Sequence, residues 1–316
     1  MRKYPVALAA ALVAAALVVV PRAHATAAQL LPDLRQAPVG CDGGFIGDLN
    51  RCDSWDVCAV ADANAPNGDC LLTGAIRAVR LRFTTAVDNI GDGPLLLHAE
   101  RASRDVPTMT ARQAFQSGSD GSIPWTFAQA QHPLPTSVYY EPAQSHQHWH
   151  LGAFNHYQLR TPQGDALVTD RKNGFCLGDR YRVADRLAHR PPGAGRPEDA
   201  LADYLRDNMC GHRAPEALSV THGISVGSGD DYAHTVDFQW LDISRVPSGV
   251  YDVVNTVNGD RSLVEQDYGN NSSSMAVSIQ WPMGAAQPPK VITAPPVVRV
   301  LGHCPGTARC AATLPG

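Results

Sequence analysis

Three histidines alternate along the stretch Ser145-His146-Gln147-His148-Trp149-His150. In an extended strand, residues two apart share a face, so a regular strand here aims three imidazoles the same way. Neutral imidazole offers a lone pair near neutral pH, and a nitrogen trio on one face suits copper or zinc. The competing reading is a polar strand with surface histidines, and the alternation favours the metal. If the strand runs on unbroken, His156 shares the face of His148 and His150 and becomes a candidate base beside the metal. Gly152 is where a bulge would change that phase; the plainer role for His156 is a core histidine bonded to backbone.

Lysine usage is the second chemical signal. Of 26 basic residues only three are lysines, Lys3, Lys172 and Lys290, so Lys172 is the only one in the region expected to form the core. Replacement of Lys by Arg across the chain explains the scarcity, but not the position of the survivor.

Several motifs resemble those of the lysyl oxidases, copper-dependent amine oxidases that act outside the cell. His146 to His150, followed by Phe154-Asn155-His156-Tyr157, resembles their copper motif. Lys172-Asn-Gly-Phe-Cys-Leu177 resembles the segment holding the lysine of their built-in cofactor, lysine tyrosylquinone, and Tyr232 to Ile243 the segment holding its tyrosine. Val264 to Asn271 is similar to a further family block, and Leu31 to Leu34 and Leu81 to Pro94 match more faintly. The resemblance runs over about residues 30 to 282. Ser145 and Phe238 stand where animal members carry cysteines, and the interval from Lys172 to Tyr232 is longer here.

The resemblance implies copper on His146, His148 and His150, and a lysine tyrosylquinone from Lys172 and Tyr232. It implies oxidation of primary amines, peptidyl lysine or small diamines, to aldehydes by dioxygen, with release of hydrogen peroxide and ammonia. It also supports His156 as base; Asp237 and Asp242 are weaker candidates. Without the resemblance, Tyr232 reads as an ordinary half-buried tyrosine. Burial of Lys172 would favour the free amine that must add to an oxidised tyrosine ring. Two other classes compete: a secreted copper- or zinc-binding sandwich acting as metal carrier or hydrolase without a quinone, and a secreted binding module. Neither needs both Lys172 and Tyr232.

The elements that must hold these residues read as an all-β, antiparallel sandwich with long loops and little helix. Val79, Leu81 and Phe83 alternate with polar residues as a half-buried strand does. Further strands are expected through Val236, Phe238 and Trp240, through Tyr251 to Val257, and through Met275 to Trp281. Residues 102 to 144 read as loops, 189 to 200 as an exposed loop, and Pro197 to Met209 as one short helix.

Residues 1–25 have the charged start, apolar run and small-residue ending of a secretory signal, followed by a Cys- and Asp-rich leader (26–75), a catalytic domain (76–282) and a Pro-rich tail (283–316). Loss of Arg2, Lys3 and Arg22 would take the net charge from -4 to -7, which disfavours nucleic acid and suits a cationic amine. No later segment is apolar enough to cross a membrane. Eight cysteines in an exported chain read as disulfides: a local cluster (Cys41, Cys52, Cys58, Cys70), a Cys304/Cys310 pair, and Cys176 with Cys210. The loop Asp62 to Asp69 has the oxygen-rich look of a calcium site without EF-hand spacing, so calcium is a secondary expectation.

Overall fold

The computed structural model describes residues 28–184 and 195–314. The signal segment lies outside the described residues, as does the first half, 189–194, of the loop expected at 189 to 200. The chain forms antiparallel sheets and, among the described residues, one α-helix, Pro197–Arg206. The apolar alternation at Val79 to Phe83 does produce a strand, Ala78–Phe83, but both of its faces are buried. It lies centrally between Trp55–Val60 and Trp240–Asp242. Arg80 and Arg82 tolerate burial because Arg80 stacks on Trp240, 4.1 Å from the ring centroid, and Arg82 pairs with Asp56.

Two large sheets carry most of the core. One runs in the order Gly174–Phe175, His148–Gly152, His132–Glu141, Thr108–Ala114, Leu95–Glu100, Ser219–Ile224. The other runs Ala166–Thr169, Asn155–Arg160, Gly249–Val257, Ser272–Gln280, Val297–Cys304. A four-stranded sheet, Tyr181–Arg182, Ser228–Tyr232, Thr85–Asn89, Leu34–Gln36, joins them. One continuous apolar cluster, including Leu81, Leu97, Trp149, Tyr157, Val253, Met275 and Trp281, links all of these layers.

The helix starts on Pro197, whose fixed φ suits a first turn, with Glu198 and Asp199 at its positive end. Leu201 and Leu205, one turn apart, pack it on Leu96, Ala114 and Ile123. None of the described helices is long and apolar enough to cross a membrane. Four disulfides join Cys41 to Cys52, Cys58 to Cys70, Cys176 to Cys210 and Cys304 to Cys310.

Four expectations about elements are corrected. Residues 102 to 144 hold three strands, one of them ten residues long; Pro133 and Pro135 hid it. The strand expected from Val236 starts only at Trp240, because residues 233 to 239 turn and Phe238 takes a positive φ of 59°. The histidine strand does not continue to Leu159: Ala153, at φ 57°, breaks it, and the halves enter different sheets. The tail contributes the edge strand Val297–Cys304.

Candidate active site

His148 and His150 sit on one face of the strand His148–Gly152, with Trp149 on the other, fully buried and donating through Nε1 to the Ala214 carbonyl at 3.0 Å. The strand does not reach His146. Gln147, at φ 50°, ends it, and His146 approaches from the preceding turn. The trio converges all the same: ligand atoms of His146, His148 and His150 lie within 4.8 Å of one another.

The Nε2 atoms of His148 and His150 face each other at 2.8 Å. Burial, reinforced by the neighbouring histidines, holds His148 down to about 4 and His150 to about 2, so both rings are neutral. Neutral nitrogens crowded around one point form a donor set that fits copper or zinc. Asp237 touches the third ring, its Oδ2 3.2 Å from His146 Nε2, and accepts from Ser145 Oγ at 2.5 Å. A carboxylate on a histidine nitrogen is the usual means of orienting a metal ligand.

Lys172 reaches this cluster through strand pairing. Leu151 pairs with Phe175 and Gly152 with Gly174, which lays the lysine segment along the histidine strand. The approach depends on Gly174, because a Cβ there would collide with the His150 ring and the Tyr139 hydroxyl. Lys172 is 4% exposed, and its Nζ lies 3.4 Å from the Asp237 carbonyl oxygen. Burial lowers its pKa to about 8, against the pull of Asp237, Asp230 and Asp170.

Tyr232 arrives from the four-stranded sheet, where it pairs with Thr85. Its ring centroid is 5.1 Å from Lys172 Nζ. Its hydroxyl lies 2.8 Å from Asp230 Oδ2 and 3.0 Å from the Cys176 carbonyl oxygen. Burial first, then the Asp230 charge, pushes the phenol well above its ordinary value. A cavity of about 300 Å³ brings together the three histidines, Lys172, Tyr232, Asp230, Asp231, Asp237 and Arg180. A second, of about 230 Å³, shares His146, His150, Lys172 and Asp237 and is also lined by Tyr139 and Glu141.

His156 is not in this group. The break at Ala153 puts it on the five-stranded sheet, opposite Thr256, with Nδ1 3.8 Å from Asp170 Oδ1. It lines neither cavity, and the Asp170 carboxylate, accepting from the ring, raises its pKa. Asp242 binds the turn at Ser244. The loop Asp62 to Asp69, where calcium was only a secondary expectation beside a plain stapled loop, closes on a side chain: the Arg80 guanidinium donates to the carbonyls of Asp62 and Ala65. Among the described residues, the histidine trio is the one cluster of three His, Cys, Asp or Glu side chains placed to hold a metal.

Asp230 and Arg180 drew no attention in the sequence, and Asp237 drew it only as a weak candidate on an expected strand. Asp230 had a signal, since i and i+2 share a strand face. Asp237 owes its place to the turn that replaced that strand.

Residues 202–283 match the lysyl oxidase family model, a range that contains Tyr232 but neither the histidine trio nor Lys172. The chain is 30% identical over 127 residues to lysyl oxidase homolog 2 of Xenopus laevis. It is 32% identical over 129 residues to lysyl oxidase homolog 4 of Mus musculus, and 28% identical over 128 residues to homolog 3 of Homo sapiens. Each match covers 40% of this chain and 14% of the relative, so the likeness spans a small part of those longer proteins.

Proposed function

Because the chain belongs to the lysyl oxidase family, we propose that it is a copper-dependent oxidase of primary amines whose organic cofactor is made from Lys172 and Tyr232. The observation that carries this reading is the juxtaposition of a buried lysine, 5.1 Å from a tyrosine ring, with three histidines in one cavity. Neither a metal carrier nor a metal hydrolase requires that pair.

In this reading His146, His148 and His150 hold copper, which supplies the redox chemistry with dioxygen that tyrosine oxidation needs. Joined as lysine tyrosylquinone, the pair supplies an electrophilic carbonyl through which primary amines become aldehydes, with hydrogen peroxide and ammonia released. The chain's own residues do the rest. Asp237 orients His146 through its carboxylate and Lys172 through its carbonyl. Burial brings Lys172 down to about 8, so a fraction of free amine is present near neutral pH, as a nucleophile requires. Asp231 and Asp237 line the cavity and favour a cationic amine, peptidyl lysine or a small diamine, over an anionic substrate.

Intact-mass analysis of copper-loaded protein tests this. The wild type should show the mass change of a lysine–tyrosylquinone crosslink, and Lys172→Ala and Tyr232→Phe should not. Copper bound at one per chain with the mass unchanged would leave a metal-binding protein of another class.

A further inference from the structure

The strand Ser228–Tyr232 points Asp230 and Tyr232 to the same side. Asp230 is 1% exposed, and its Oδ2 lies 2.8 Å from the Tyr232 hydroxyl. The phenol's other neighbour, the Cys176 carbonyl at 3.0 Å, can accept a hydrogen bond but cannot keep a proton. Among the described residues Asp230 Oδ1 has no hydrogen-bond partner; Arg180 Nε stands 3.6 Å away. Burying a carboxylate with so little support costs stability, which points to a chemical role.

We propose that Asp230 is the base that takes the phenolic proton of Tyr232, the proton that must leave before that ring is oxidised. The inference rests on the amine oxidase reading above. In the transfer the Tyr232 O–H bond breaks, an Oδ2–H bond forms, and the negative charge passes from the carboxylate to the phenolate oxygen. No electron moves in this step. Arg180 stays beside Oδ1 and steadies the carboxylate before the transfer.

The surroundings suit a base for a phenol. An ordinary aspartate, near 4, is a poor match for a tyrosine near 10, and a poorer one for Tyr232, which burial and the Asp230 charge push well above that value. Burial raises Asp230 to about 8, with Arg180 and Tyr232 opposing and Asp231 and Asp179 adding. Lys172, Tyr157 and Tyr181 feel the same charge. A base whose proton affinity approaches that of its target transfers more efficiently. Its ionised form fills in as pH rises through about 8, so crosslinking should accelerate over that range.

The experiment starts from metal-free protein, adds copper and dioxygen at pH 6 to 9 without any amine, and follows crosslink mass with time. Asp230→Asn should bind copper normally, crosslink about 100-fold more slowly or worse, and keep only the pH dependence that the Lys172 amine imposes; Asp230→Glu should recover part of the rate. An Asn variant that crosslinks at the wild-type rate, with the wild-type pH profile, overturns the assignment alone. A wild type that binds copper without any mass change overturns the amine oxidase reading and this inference with it. Should the Asn variant show no cooperative melt, the Glu variant decides: a displaced pH inflection supports the role, and an unchanged one overturns it.

Discussion

Lys172 owes its character to its surroundings, since its four-carbon stem would leave the ammonium in water at most positions. Here it is enclosed by the Asp237 backbone and the rings of Phe175 and Tyr232. Amine-selective labelling of the metal-free protein, resolved by peptide, should therefore show Lys172 half-reactive near pH 8, its free form growing as pH rises past that point. Copper content checks the histidines: His148→Ala should leave almost no copper after dialysis, whereas Asp237→Asn should keep the site and weaken it by about 10–100-fold. The donor trio was legible in the sequence because alternation is visible in any spacing. The failure of His156 to join it was not, since one residue at positive φ, Ala153, removes the phase from which its place was inferred.

At the level of elements, the site depends on close approach between two short strands. Gly174 is where the lysine strand meets the histidine strand, and any side chain there displaces His150. Gly174→Ala should cost about 1–3 kcal/mol of stability by overpacking and reduce copper affinity in the same variant, measured by thermal melting and metal titration. The need for glycine could not be read from the motif, because it arises from a partner 24 positions earlier in the chain. Proline hid the strand His132–Glu141, which lies between the histidine strand and Thr108–Ala114. Tolerance of proline there depends on which backbone groups the pairing uses, which composition does not record.

Across the whole molecule, a separate network ties the chain's early and late segments together. Glu265 accepts from the Leu34 amide at 2.8 Å and from Asn271 at 2.7 Å, and Asn270 donates to Asp33 at 2.7 Å. The blocks at Leu31 to Leu34 and Val264 to Asn271, both noticed as motifs, thus meet as a structural clasp away from the histidines. Burial raises Glu265 to about 7, above its ordinary 4.5. The folded state therefore binds this proton more tightly than the unfolded chain does. The stability this provides is full below about 4.5 and lost as pH rises through about 7, on the order of 3 kcal/mol in all. Melting curves from pH 4 to 8 should show that decline in the wild type and a flatter profile in Glu265→Gln.

Lys172 lies two residues before the short strand Gly174–Phe175 that pairs with the histidine strand, and Tyr232 ends the strand Ser228–Tyr232 of the four-stranded sheet that also holds Leu34–Gln36. A covalent bond between them would weld two layers of the sandwich that are otherwise held at this point by packing and hydrogen bonds. By the loop-closure reasoning applied to disulfides, a tie over that length of chain restricts the unfolded ensemble by about 4 kcal/mol, and unlike a disulfide no thiol could undo it. Maturation would then leave a lasting mark on durability: stripping the copper from the finished protein would end metal chemistry but not the added resistance to heat and protease. A protein that cured itself in this way would carry the record of one oxidation for its whole lifetime.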